Sequence, residues 1–517
     1  MKTKNKKTIG SKIMALCLAV VMMMAMSVTA FATISQGEKG SITVDNIEPG
    51  ATVSIYKVID VNFDFDTQQP VDPVYTWNDS VKASDVATDY AEPETALKND
   101  NIATVVDSLA NYVKTKQVTA IGDPVEAETA SVTIDELDMG AYLILIQGAE
   151  KIYSPGFVTI YPQYADGAWS LHNGSVSVDA KATTPSIDKE ITGPSADSTV
   201  AIGDTVNYEL TITIPQYPEN AIDKYFAFSD TLSEGLTYNN DLKITGKTGV
   251  SITVADYFTD ATAGSNTTFK YVANQDKYGE FAALAGDTIH VTYSATVNEN
   301  AYTNKDDLTN TASLEYSRNP YVENDHNIKD DEEQVYTYAL NVLKLGDNNA
   351  KLAGAEFVLK EDNTAINVIK ESDGIYRVAK TNEGGATTTL VSSAEGNILI
   401  KGLDEGTYTL TETKAPGGYT LPADPDVTIV LSDKEGGNPD GADGTLDNSS
   451  ATGAIIDGEP TVDGSDLNVT IRNTTSDFNL PSTGGMGTMI FTVAGILLMG
   501  GAAVLVVVAL KRRKAAE

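Results

Sequence analysis

The sequence predicts an all-β protein, a string of tandem immunoglobulin-like β-sandwich domains, and three observations predict it. Short segments alternate apolar and polar residues at period two, as in Tyr208-Glu-Leu-Thr-Ile-Thr-Ile214 and Leu467-Asn-Val-Thr-Ile-Arg-Asn473, which is the mark of half-buried strands. Turn dipeptides recur along the chain, at Asn173-Gly174, Asp373-Gly374 and Asp440-Gly441, as strand connections require. Helical spacing is scarce: residues 84–116 carry it, most clearly from Asp107 to Val113, so a small helical insertion is expected in the N-terminal domain. Regular strands divided by Gly, Asn and Asp turns pack as sandwiches.

The 517 residues suggest three or four domains. The chain holds 36 Lys+Arg against 72 Asp+Glu, a formal charge of −36. Such a balance argues against nucleic-acid binding, which needs a basic surface. Three His and one Cys leave little material for a metal site or a thiol nucleophile. Neither metal nor cofactor is expected.

Taken in chain order, the first element is a secretory signal. Met1-Lys-Thr-Lys-Asn-Lys-Lys7 is basic, the stretch from Ile13 to Val28 is mostly apolar, and Ala30-Phe31-Ala32 supplies a small-x-small cleavage site. Cleavage after Ala32 removes Cys17, so the exported chain has no cysteine and cannot use disulfides.

A first domain is expected over residues 33–181, a second over 187–322 and a third over 335–474, each the size of one sandwich. The breaks are Ala182-Thr-Thr-Pro-Ser186 and the acidic, aperiodic text from Glu323 to Gln334, read as connectors.

The last element is Leu480-Pro481-Ser482-Thr483-Gly484, followed by an apolar stretch from Met486 to Leu510 and then Lys511-Arg512-Arg513-Lys514. The stretch is long enough to span a bilayer, and the basic tail keeps that end cytoplasmic. Together with the N-terminal signal, this arrangement resembles the cell-wall sorting signal of Gram-positive surface proteins. In that family a sortase cysteine cleaves the Thr-Gly bond and an amine resolves the acyl-enzyme. The resemblance implies a cut between Thr483 and Gly484, with the membrane engaged only by the precursor. Removing nine Lys/Arg and one acid at the two ends would deepen the charge from −36 to −44.

Three further strings carry chemistry. In the third domain, Tyr408-Thr-Leu-Thr-Glu412-Thr-Lys-Ala-Pro416-Gly-Gly-Tyr419 and Leu352-Ala-Gly-Ala-Glu-Phe357 resemble collagen-adhesin B-type domains, which form an internal Lys–Asn isopeptide bond. The resemblance implies Lys344 as amine, Asn473 as carboxamide and Glu412 as proton shuttle. Parity supports it independently. Lys344 shares a face with Tyr338, Leu340 and Val342; Glu412 with Tyr408 and Leu410; Asn473 with Leu467, Val469 and Ile471. Leu343 and Leu345 make the first of these faces less clean. Burial disfavours both charges, leaving a neutral amine to attack and a protonated acid to polarise the carboxamide.

The second domain resembles the D2-type isopeptide domain of pilins. Lys189 lies with Ile187 and Ile191, and Asp230 with Phe226, Phe228 and Leu232, which implies Lys189 as amine and Asp230 as shuttle. The asparagine is Asn310, on the face of Ala312, Leu314 and Tyr316, or Asn319 in Tyr316-Ser-Arg-Asn-Pro320. Parity favours Asn310; a bulge would favour Asn319. The opening strand of the first domain, Gly40-Ser-Ile-Thr-Val-Asp45, has no inward lysine, and Lys57 reads as ordinary, so no bond is expected there.

Finally, Trp169-Ser-Leu-His-Asn-Gly-Ser-Val176-Ser-Val178-Asp-Ala-Lys181 is similar to the pilin motif, although the family ends in Tyr-Pro-Lys. The resemblance implies that the Lys181 amine joins to Thr483 of another copy. The chain is thus identified as a major (shaft) pilin of a Gram-positive bacterium. That implies a covalent homopolymer made by a class C sortase, accessory pilins, and attachment to peptidoglycan by a housekeeping sortase, in support of adhesion. The alternative is a monomeric wall-anchored adhesin with the same sorting signal. An enzyme is disfavoured, since no nucleophile elbow, zinc motif or phosphate loop is present.

Overall fold

The computed structural model describes residues 33–82, 86, 92–93, 102–165, 168–171, 175–302, 308–435 and 442–475. The signal segment with Ala30 and Ala32, and the motif Leu480 to Gly484 with the apolar stretch behind it, lie outside the described residues. Among those described, no helix is long and apolar enough to cross a membrane.

Among the described residues the chain is mostly β-strand with few helices, as expected. The described residues divide into two compact units, one holding those from 33 to 338 with those in 402–405 and 433–445, the other holding the remainder.

In the first unit, the opening strand Gly40–Asp45 lies between Ser131–Leu137 and Ser175–Asp179, parallel to the latter. A five-stranded sheet built on Thr52–Asp64 and Gly140–Gln147 faces it. Between them Ile42, Val44, Val53, Ile55, Tyr142 and Ile144 form the core. The expected helix is Ile102–Thr115. Its apolar face (Val105, Leu109, Ala110, Val113) covers the other side of the five-stranded sheet at Val58, Leu143 and Leu145. Tyr321, from far along the chain, fills the same core, and its hydroxyl donates to Asp107 on the helix at 2.5 Å.

The rest of this unit is a second sandwich. One sheet places Ser186–Thr192 beside Thr205–Thr213 and then Thr288–Val297. The facing sheet places Phe226–Leu232 beside Thr309–Ser317. The acidic text expected as a connector is instead a nine-residue strand, His326–Gln334, paired antiparallel with Thr309–Ser317. The reason is its edge position. A strand with one free edge needs no apolar alternation, and charges there discourage pairing with another chain. The expected boundary at residue 322 therefore falls before the last strand of this sandwich.

Asp404 also belongs to the first unit. Burial pushes its carboxyl up to about 6, and the nearby Asp204 and Asp197 add to the push. A folded pKa above the unfolded value means that the folded chain holds the extra proton, so the associated stability is complete below the ordinary value of 3.8 and is lost as pH rises through about 6. The loss is at most about 3 kcal/mol. Thermal unfolding of the wild type is expected to move to lower temperature between pH 5 and pH 7. Asp404→Asn should remove part of that slope, and calorimetry at the two pH values measures the difference.

The second unit is a sandwich of two six-stranded sheets. Its first strand, Tyr338–Leu345, runs parallel to its last, Asp466–Arg472, with Lys344 opposite Ile471. The facing sheet carries Gly406–Lys414 beside Glu356–Glu361 and Asp426–Leu431. Leu343 and Leu345 are half-buried on the outer face, so the inward face holds Leu340, Val342 and Lys344.

Candidate functional site

The second unit brings Lys344, Glu412 and Asn473 together in its core. Alternation on Tyr338–Leu345 turns Lys344 inward, where it is 0 % exposed; Glu412 is 1 % and Asn473 2 %. The Lys344 amine donates to Glu412 Oε2 at 3.2 Å and to Asn473 Oδ1. The Asn473 amide donates to Glu412 Oε1 at 2.7 Å. One carboxyl group thus touches both the attacking and the leaving nitrogen of an amide exchange. The Phe357 ring lies 5.6 Å from the amine and closes the site against water. Burial draws the Lys344 amine below its ordinary range, although the Glu412 charge opposes this. A lysine so placed needs little energy to become the neutral nucleophile.

The second sandwich of the first unit holds a similar group, built across its two sheets. Lys189, on Ser186–Thr192, is 2 % exposed, while Asp230 at 1 % and Asn310 at 0 % come from the facing sheet. The Lys189 amine donates to Asp230 Oδ2 at 2.6 Å. Burial lowers the lysine and raises the aspartate, with each charge opposing the other's shift. Asn310 does not bond Asp230 directly; its amide donates to the Tyr293 hydroxyl at 3.0 Å. Asn319 lies elsewhere, in the turn after Thr309–Ser317, where its Oδ1 accepts from the Tyr321 backbone at 3.4 Å. The arrangement therefore gathers Lys189, Asp230 and Asn310, and leaves Asn319 apart.

Tyr293 and Tyr208 were not anticipated. Both rings lie against the Lys189 amine, at 5.3 and 4.8 Å, and stack on each other at 5.4 Å. The signal was available in Thr288–Val297. Tyr293 has the parity of the buried Ile289, Val291 and Ala295, and an inward tyrosine hydroxyl needs a polar partner.

In the first sandwich, Lys57 is ordinary: its half-buried amine pairs with Asp60 at 2.7 Å. Lys181 is exposed and follows Ser175–Asp179, whose Val176 and Val178 are half-buried. Its carbonyl accepts from the Ser154 backbone at 2.9 Å, which fixes the strand end beneath the side chain. Trp169 packs edge-on against Phe63 at 5.5 Å. Thr483 lies outside the described residues. Among those described, no cluster of three or more His, Cys, Asp or Glu is placed to hold a metal.

Three family models match successive parts of the chain. Residues 202–320 match the Gram-positive pilin backbone subunit 2, Cna-B-like domain; residues 339–439 the prealbumin-like fold domain; residues 472–517 the LPXTG cell wall anchor motif. The chain belongs to the backbone pilins of Gram-positive bacteria. This backbone pilin is 26% identical to the trypsin-resistant surface T6 protein of Streptococcus pyogenes serotype M6, over 97% of this chain and 100% of the relative. It is 27% identical to a type 1 fimbrial subunit of Actinomyces viscosus, over 75% and 76% of the two chains. Its fold matches the T6 backbone pilin of S. pyogenes with a TM-score of 0.58 at 20% identity, covering 86% of this chain and all of the other. The full-length major pilin SpaD of Corynebacterium diphtheriae matches at 0.51 and 20%, with the same coverage. As a backbone pilin the chain is a structural protein of a surface pilus anchored to the cell wall.

Proposed function

We propose that this pilin is a shaft subunit that is covalently tied within itself and to its neighbours. The buried Lys344–Glu412–Asn473 group carries the proposal. An unbonded ammonium and carboxylate of this depth are costly to keep, whereas an amide removes the charge on the lysine for good. Lys344 gives a proton to Glu412, its neutral Nζ attacks Asn473 Cγ, the carboxyl passes that proton to the departing Nδ2, and it then takes the remaining extra proton from the new amide nitrogen and ends protonated. One C–N bond forms, one breaks, and ammonia leaves. In the same way Lys189 joins Asn310, with Asp230 as shuttle. The domains so closed run from 187 to 334 and from 335 to 474, with 33–181 lacking an internal bond.

Between copies, a class C sortase cleaves after Thr483 and passes the Thr483 acyl group to the Lys181 amine of another subunit. A housekeeping sortase then joins the polymer to peptidoglycan, and accessory pilins share the filament. The finished shaft supports adhesion.

Intact mass of residues 33–483 tests the internal bonds. The mature chain should weigh less than its sequence by two ammonias. Asn310→Ala should restore one of them and Asn319→Ala neither. A wild-type chain of full sequence mass would overturn both bonds.

A further inference from the structure

Accepting Lys189 and Asn310 as bond partners, as proposed above, leaves the Tyr293 hydroxyl with an unexplained position. It accepts from the Lys189 amine at 2.6 Å and from the Asn310 amide at 3.0 Å, and it donates to Asp230 Oδ2. One hydroxyl has two lone pairs and one proton, so these three bonds use its full capacity. The attacking nitrogen and the leaving nitrogen therefore sit on the same oxygen.

The other site is built differently. There the Glu412 carboxyl touches both nitrogens itself, through Oε1 and Oε2. In the Lys189 site Asp230 Oδ1 has no hydrogen-bond partner, and neither does Asn310 Oδ1. The shorter aspartate meets the amine directly but is connected to the leaving nitrogen only through the phenol. The ring is held in place by stacking on Tyr208 and by the edge-on contact with Phe269 at 5.1 Å.

We propose that Tyr293 is a catalytic residue of the second-domain bond, relaying a proton from Asp230 to the leaving Asn310 Nδ2. The Lys189 ammonium first gives a proton to Asp230, and the neutral Nζ attacks Asn310 Cγ. The carbonyl oxygen takes the electron pair. Tyr293 hands its proton to Nδ2 as it receives the one on Asp230. The Cγ–Nδ2 bond breaks, the carbonyl reforms, and ammonia leaves with the bonding pair. The new amide nitrogen returns its extra proton to Asp230, which ends protonated. Burial, together with the Asp230 charge, pushes the phenol well above its ordinary range, so it passes protons without ionising.

The test follows bond formation in residues 33–483, purified unfolded and refolded by dilution, with intact mass read over time. In Tyr293→Phe the third-domain ammonia should leave at the wild-type rate. The second-domain ammonia should leave at least about 100-fold more slowly, the usual size of a lost proton-transfer group. A ring-fluorinated tyrosine at position 293 keeps the shape and changes only the hydroxyl's acidity; it should alter the second-domain rate, which a packing role would not. Unchanged second-domain rates in both variants would overturn the relay while leaving the bond intact. A wild-type chain that never loses the second-domain ammonia would overturn the Lys189–Asn310 pairing and the relay with it.

Discussion

Lys344→Ala is expected to leave the second unit folded but far weaker. The proposed bond from Lys344 to Asn473 would close a loop spanning the 129 positions between the two residues. By analogy with a disulfide, a cross-link around a loop of this size restricts the unfolded chain by about 5 kcal/mol. For a sandwich of about 140 residues, that corresponds to a fall in melting temperature of roughly 15–20 °C. The location adds to the effect. The two residues tie the first strand to the parallel last one, the pair that must separate for the unit to open from its ends. Proteolysis through local opening should rise with it. Glu412→Gln is the sharper control, since it keeps the shape of the site and removes the proton acceptor. Its mass should exceed that of the wild type by one ammonia, apart from the substitution itself, and calorimetry should place its transition close to that of Lys344→Ala. A transition at the wild-type temperature in both variants would contradict a stabilising bond.

The site in the second unit was legible because period-two alternation is a geometric rule. Lys344, Glu412 and Asn473 each keep step with a run of apolar residues, so their strands carry them to one core whatever the loops do. The same rule separated Asn310 from Asn319. Three features escaped it. The strand His326–Gln334 has no apolar face to read, because an edge strand is stabilised by backbone pairing along one side. Tyr293 read only as an inward aromatic residue, since its hydroxyl partners come from other strands, two of them in the facing sheet. The docking of Tyr321 on the helix Ile102–Thr115 joins residues 214 positions apart, which no local pattern records.

Lys181→Arg should abolish the polymer altogether. Arginine keeps the positive charge and the surface, but its guanidinium does not lose a proton and cannot act as the acyl acceptor. Lys181 is exposed at the end of Ser175–Asp179 with its carbonyl tied to Ser154, so the substitution leaves the core untouched. Denaturing gels of cell-wall extracts should change from a ladder of heavy, boiling-resistant species to a single monomer band. The Lys344→Ala strain should keep its ladder, because the two bonds draw on separate residues. A ladder that survives Lys181→Arg would place the junction at a different amine, and a single band in the wild type would make the protein a monomeric wall-anchored adhesin.

The claim that this chain is a covalent shaft subunit is tested most directly by the junction itself. Pili are released from the wall and digested, and branched peptides are sequenced by tandem mass spectrometry. The expected product carries a chain ending in Leu480-Pro481-Ser482-Thr483, joined through the Thr483 carbonyl to the Nζ of Lys181. Filaments whose Thr483 is found only on cell-wall peptide, or on a lysine other than Lys181, would contradict it.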